Sequence, residues 1–250
     1  MKARALEQYL NEYLNAEAFH DYAPNGIQVE GRPEVRRIAL GVTASQELIE
    51  KAAAIGADAV LVHHGWFWRG EDPRLVGMKG RRAAACIRAG MTLFAYHLPL
   101  DAHPEVGNNV ELARRLGIEI ERRAGEYDLF FCGRLASGAE RADEFAARAE
   151  KVLGRTPLLI GDGSRRVERI GWCSGAAQGE IARAAEMGCD LYLSGEIRES
   201  TTYEARELGL CYLAAGHHAT EQFGIQALGD HLARVFPELE FNYINVSNPA

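Results

Sequence analysis

The sequence predicts an α/β protein made of two related α/β halves packed around a shared site. Three observations carry this expectation. Apolar runs of strand length alternate with helical patterns. One 28-residue stretch of the first half recurs in the second. Histidines gather where the predicted strands end.

Taken in order, MKARALEQYLNEYLN has apolar residues at helical spacing and no signal-peptide core, so it reads as an amphipathic helix. Arg37–Thr43 (RIALGVT) reads as a strand, 46–55 as a helix, 59–62 as a strand, 79–89 as a helix and 92–96 as a strand. Strand, helix, strand at this spacing argues for parallel units. A helix follows over about 108–116. Residues 119–167 hold a strand-like run (128–135), an amphipathic helix (139–153), a short strand (156–160) and a turn at 161–164. Residues 240–246 read as a last strand. The halves are placed at 1–118 and 119–250, with no inserted domain. No low-complexity linker separates them, so they are expected to pack together.

The recurrence is visible without gaps. RIALGVTASQELIEKAAAIGADAVLVHH (37–64) lies over RIGWCSGAAQGEIARAAEMGCDLYLSGE (169–196) with ten of 28 positions identical. Arg37/Arg169, Gln46/Gln178, Gly56/Gly188 and Asp58/Asp190 are among them. Such self-similarity is the mark of an internal repeat.

Composition bounds the function. Apolar residues make up 47% and charged residues 25% of the 250, as in an ordinary globular protein. No apolar run is long enough to span a membrane. A formal net charge of −7 argues against a broad nucleic-acid surface, though not against a local basic pocket. The five cysteines form no CxxC pair and sit among apolar residues, which suits reduced, buried thiols of a cytoplasmic protein.

Six of the eight histidines fall in three segments that each follow an apolar run: His63-His64, His97 with His103, and His217-His218. The C-terminal ends of parallel strands are where such sheets build ligand sites. LFAYHLPLD (93–101) also matches LAAGHHATE (213–221) in place, setting His97 opposite His217 and Asp101 opposite Glu221. His64 falls opposite Glu196. Imidazoles with carboxylates and no thiol suit Zn, Fe, Mn, Ni or Co rather than a closed zinc–thiolate site. Adjacent strand histidines point to opposite sides, so they reach two ions, or one binds while the other orients. A carboxylate such as Asp101 or Glu221 can bridge two ions, and a bridged pair is a hydrolytic arrangement.

Other residues have two readings. His103 and His218 neighbour stronger candidates and serve either around the site or at the surface. Glu196 is either a site carboxylate or a helix N-terminal residue. Trp66 and Trp68 are either packing residues or a platform for a planar ligand such as a purine. Asn108 either caps a helix or reaches substrate. Pro24-Asn25-Gly26 reads as a turn, and His20 and His231 as ordinary helix residues. No P-loop, GxGxxG, GxSxG or HExxH is present.

Together NGIQVEG (25–31), GVTAS (41–45), HHGWFWRG (63–70), HLPLDAHPEVGNN (97–109), SGEI (194–197) and GHHATE (216–221) resemble the Nif-three-like dinuclear metal-centre family. Its bacterial members are catalogued as GTP cyclohydrolase 1 type 2 homologues. The resemblance implies a Nif-three-like fold of two related halves with two divalent ions per subunit between them. It further implies a toroidal homohexamer with its sites facing an internal cavity. Matched by motif, the ligands are His63, His64, Asp101, His217 and Glu221, with Glu221 bridging. His97 is a ligand or a proton relay. The implied activity is opening of the guanine imidazole ring of GTP, a purine nucleotide. A phosphoester or amide hydrolase at the same site, and a non-catalytic metal-binding scaffold or regulator, are the alternatives.

Overall fold

The computed structural model describes residues 1–250. Helix α1 (Ala3–Tyr13) leads to strands β1 (Gly26–Val29) and β2 (Arg37–Thr43), α2 (Gln46–Ala54), β3 (Ala59–His64), α3 (Gly77–Arg88), β4 (Thr92–Ala95) and α4 (Leu98–Ala102). Next come α5 (Asn108–Leu116), β5 (Ile118–Ala124), β6 (Phe130–Leu135), β7 (Glu140–Arg141), α6 (Ala142–Leu153), β8 (Leu158–Ile160) and β9 (Arg166–Val167). The chain continues through β10 (Arg169–Cys173), α7 (Ile181–Glu186), β11 (Leu191–Ser194), α8 (Glu199–Leu208), β12 (Cys211–Ala214) and α9 (His217–Thr220). It ends with α10 (Gln222–Val235) and β13 (Glu240–Tyr243).

The chain forms two compact units. One comprises residues 1–107 and 224–247, the other 108–223 and 248–250. The boundary therefore falls ahead of α5 and not at 118/119, and the first unit recovers most of α10 and all of β13. Pairing explains the recovery. β13 adds a parallel strand to β2, with Phe241 opposite Ile38. Ile225, Leu228 and Leu232 of α10 enter the same apolar cluster as Leu6 and Leu10 of α1. Gly229 lets α10 approach β2 closely, since a Cβ there would lie 2.1 Å from Leu40 Cδ1.

The first unit's sheet has the order β1-β4-β3-β2-β13, parallel except for β1. Its strands are apolar on both faces, as a covered parallel sheet requires. Ile38, Leu40, Ala59, Leu61 and Phe94 enter one core cluster. Ala39, Val60, Val62, Leu93 and Ala95 enter another. The second unit's sheet has the order β5-β6-β10-β11-β12-β8, with β10, β11 and β12 parallel. Strands β5, β6 and β8 run antiparallel to their neighbours.

The repeated segments adopt the same topology, β2–α2–β3 in one unit and β10–α7–β11 in the other. Each third parallel strand carries a short antiparallel edge strand, β1 on β4 and β8 on β12. The shared aspartates explain part of the identity. One Asp58 carboxylate oxygen accepts from the Arg36 and Arg37 N–H groups, both at 3.0 Å. One Asp190 oxygen accepts from Glu168 and Arg169 N–H at 3.0 and 2.9 Å. Gly56 and Gly188 have φ of +68° and +71°, the left-handed turn that lets each preceding helix stop.

Several elements differ from the sequence expectation. β5 has no counterpart in it: IEIERRA alternates only over its first four residues and is mostly exposed, so pairing with β6 makes it a strand. β1 also lies where the sequence signals only a turn. β3 runs on through His63 and His64. β6 begins only at Phe130, because Tyr127 and Asp128 take left-handed φ of 51° and 57°. His20 lies outside any helix. His231 is on α10 but is no plain surface residue: Tyr9 Oη is 2.6 Å from its Nε2, and its ring stacks on Tyr13 at 4.0 Å. All five cysteines are buried free thiols. No helix is long and apolar enough to cross a membrane.

The clamp at Asp190 is testable. Asp190→Ala leaves two strand-entry N–H groups without their acceptor, at a cost of about 1–3 kcal/mol. A lower thermal unfolding midpoint is expected, with Asp58→Ala shifting it the same way; unchanged midpoints in both variants would show that neither clamp supports its sheet.

Candidate metal centre

In the first unit the parallel register aligns the ends of β3 and β4, with Val62 opposite Ala95. His63 and His64 close β3, and His97 follows β4 as the N-cap of α4. The ligand nitrogens of His63, His64 and His97 lie within 4.8 Å of one another. Thus the adjacent pair converges although β3 has not ended. Asp101, on α4 and buried, places Oδ1 3.5 Å from His63 Nε2.

Each of these rings is anchored by Nδ1. His63 Nδ1 lies 3.0 Å from the Tyr96 carbonyl, an acceptor only, so Nδ1 carries a proton and Nε2 is the nitrogen turned toward Asp101. His64 Nδ1 lies 3.2 Å from Thr43 Oγ1. His97 Nδ1 donates to Asp21 Oδ1 at 2.7 Å. Asp21 also accepts from Tyr22 N–H, Asn25 Nδ2 and Leu98 N–H. Asn25 Oδ1 in turn accepts from His97 N–H at 2.8 Å. Burial alone would raise the Asp21 carboxyl, but the donors from His97, Asn25 and Leu98 overcome it and hold the group below its usual value. Asp21 is therefore ionised and fixes the His97 ring. Half-buried Trp68 stands nearly perpendicular to His97, with centroids 4.9 Å apart.

The second unit carries a smaller set. Glu221 follows α9, and its Oε2 lies 3.1 Å from His217 Nε2. His217 Nδ1 is 2.7 Å from Glu196 Oε1. Burial opposes charge on this imidazole, but Glu221 and Glu196 on its two sides push its pKa up to about 9. Gly175 makes room for the pair. At its φ of +64°, a Cβ would meet Glu221 Oε1 at 2.2 Å and His217 Nε2 at 3.3 Å. Glu196 is thus an anchor of His217 rather than a helix N-terminal residue, since α8 begins only at Glu199.

The remaining candidates sort by their contacts. His218 is half-buried beside His217, and burial lowers its pKa. Trp66 is a core residue: its indole N–H donates to the Ala44 carbonyl at 2.6 Å and its ring joins an apolar cluster. His103 is structural as well. Its Nδ1 accepts from Glu105 and Val106 N–H, and its Nε2 bonds the Tyr13 carbonyl. Asn108 is buried at the first residue of α5. Asp21, Asn25 and Gly175 are not among the residues that sequence reasoning points to as site residues. The DYAPNG turn signal is legible, but its use 76 positions away on His97 is not.

The profile of the Duf34/NIF3 (NGG1p interacting factor 3) family matches residues 1–249. The chain belongs to this family. It is 52% identical over 248 residues to a GTP cyclohydrolase 1 type 2 homolog of Allochromatium vinosum, covering 99% of this chain and 97% of that one. It is 48% identical over 252 residues to the Escherichia coli K12 protein of the same description, covering 100% of both. Among solved structures, ybgI, described as of unknown function, superposes with a TM-score of 0.96 at 47% identity over 100% of both chains. TTHA1606 of Thermus thermophilus does so with 0.91 at 35% identity, again over 100% of both. HcgD of Methanocaldococcus jannaschii, at 22% identity and 0.83 over 98% of both chains, shares the fold.

The donor set fits a divalent cation. Buried and half-buried imidazoles oriented through Nδ1 and accompanied by carboxylates are the usual nitrogen–oxygen ligands of Zn and its neighbours. Two substitutions probe the anchors. Asp21→Asn exchanges an oxygen that accepts two hydrogen bonds for an amide donor, freeing the His97 ring. Metal affinity by calorimetry is expected to fall about 10–100-fold with circular dichroism unchanged. Gly175→Ala drives a methyl into Glu221 and is expected to reduce the metal retained after dialysis. Wild-type retention in this variant would remove Glu221 from the ligand set.

Proposed function

We propose that the protein is a divalent-metal-dependent hydrolase of the GTP cyclohydrolase 1 type 2 kind, acting on a purine nucleotide. The observation that carries this reading is the shared anchoring of His63, His64, His97 and His217 through Nδ1, each cluster with its own buried carboxylate. The description carried by curated relatives at about half identity supports the substrate class.

In this reading His63, His64 and Asp101 of the first unit, and His217 and Glu221 of the second, would hold divalent ions. The ions would supply Lewis acidity and bring the pKa of water toward neutrality. The chain's own residues do the rest. Tyr96 and Thr43 fix the His63 and His64 rings, so that no reorganisation is needed on binding. His97, fixed by Asp21, holds or passes a proton at Nε2 as water adds at C8 of guanine. The imidazole ring of the base then opens, and a second hydrolysis releases formate.

Incubation of protein loaded separately with Zn, Fe, Mn, Ni and Co tests this directly. GTP is expected to yield formate and a ring-opened pyrimidine with at least one ion, and His63→Ala is expected to abolish the reaction. Absence of formate with every ion would exclude the cyclohydrolase, and a panel of phosphoesters and amides would then separate another hydrolase from a metal-binding scaffold.

A further inference from the structure

The first unit holds a cavity of about 580 Å³ that the ligand clusters do not use. This is within the size range of small-molecule sites. Tyr22, Phe67 and Trp68 supply aromatic walls, Asp21 and Asn25 lie along it, and Arg69 is its cation. Its chemistry is selective. The Asp21 carboxylate and the Asn25 amide are occupied by each other and by the His97–Leu98 turn, so they make a rigid wall rather than a set of ligand contacts. Tyr22 is 53% exposed, an unusual position for a large aromatic ring. Arg69 is held in place by its Nη2, which donates to the Asp21 carbonyl at 2.8 Å, and its guanidinium lies 5.9 Å from the Tyr22 ring centre. What remains for recognition is stacking surface and the fixed positive charge of Arg69, with Glu17 and His20 elsewhere on the lining.

We propose that this cavity binds a planar aromatic small molecule bearing a negative charge, its ring among Tyr22, Phe67 and Trp68 and its anionic group at Arg69. Bases stack on aromatic side chains irrespective of their hydrogen-bonding edges, and a guanidinium pairs with phosphate or carboxylate. The position gives the site a use. Trp68 touches His97 and His64 on one side and lines the cavity on the other, and Asp21 joins the cavity wall to the His97 ring. A ring bound there would sit beside the imidazole to which the hydrolase reading gives the proton. The inference deepens that reading and rests on it for its catalytic meaning, but binding itself requires no metal.

Tryptophan emission reports on the cavity, because Trp66 and Trp172 are 2% and 0% exposed whereas Trp68 lines it. Guanosine monophosphate titrated into metal-free, full-length protein is expected to quench emission saturably. Guanosine without phosphate, and wild-type probe against Arg69→Gln, are each expected to bind about tenfold more weakly. Trp68→Phe should lose the quenching yet still bind the nucleotide in equilibrium dialysis. No saturable quenching, or Tyr22→Ala and Arg69→Gln proteins that bind as the wild type does, would overturn the proposal. Nucleotide binding without formate from any metal-loaded form would leave the cavity assigned and remove the cyclohydrolase. Formate production with binding unaffected in both variants would do the reverse.

Discussion

Four imidazoles in this protein are held by the same atom. His63, His64, His97 and His217 all engage the protein through Nδ1, on a carbonyl, a hydroxyl and two carboxylates respectively. An imidazole anchored in this way has its ring direction set before any ligand arrives. Without the anchors, side chains at strand ends would sample several rotamers and pay for their ordering at each binding event. The apolar strands behind them do little chemistry. Their contribution is to bring the anchors and rings into register, which β2, β3 and β4 do by running parallel with closely packed faces.

The two units reach similar ends by different means. In the second unit the anchor of His217 is Glu196, which stands at the repeat position equivalent to His64. In the first unit that position is itself an imidazole, and the anchor of His97 is imported from Asp21, outside the repeat. Both units carry the same scaffold devices, the Asp58 and Asp190 clamps and the left-handed glycines after the helices. They differ in the roles at the strand ends. Scaffold positions answer to backbone geometry that both units share, whereas strand-end side chains answer to the chemistry each must perform.

Much of this is legible in the sequence. The parallel strands and their helices announce themselves by apolar runs and helical spacing, and the repeat exposes the matched His and carboxylate pairs. β5 is not legible, because its mostly exposed, charged residues gain strand geometry only from β6. The ownership of α10 and β13 is not legible either, since sheet membership is a long-range choice and local pattern says only that a helix and a strand exist. Within the site, histidines declare themselves by type and place. Asp21 and Gly175 do not: an aspartate before a turn and a glycine after a strand are common, and their meaning lies in contacts with His97 and Glu221 far along the chain. Trp66 and Trp68 show the limit of motif reading. They are two residues apart, yet one is spent on the Ala44 carbonyl and the core while the other faces the imidazoles.

In the metal-centre reading, nitrogen and oxygen donors alone would hold metal in this protein, through rings already turned to receive it. X-ray absorption at the edge of a bound zinc or iron measures this most directly. A first shell of nitrogen and oxygen at about 2.0–2.2 Å is expected, with the outer-shell scattering of imidazole. A sulfur shell near about 2.3 Å would put one of the buried cysteines on the metal and contradict it.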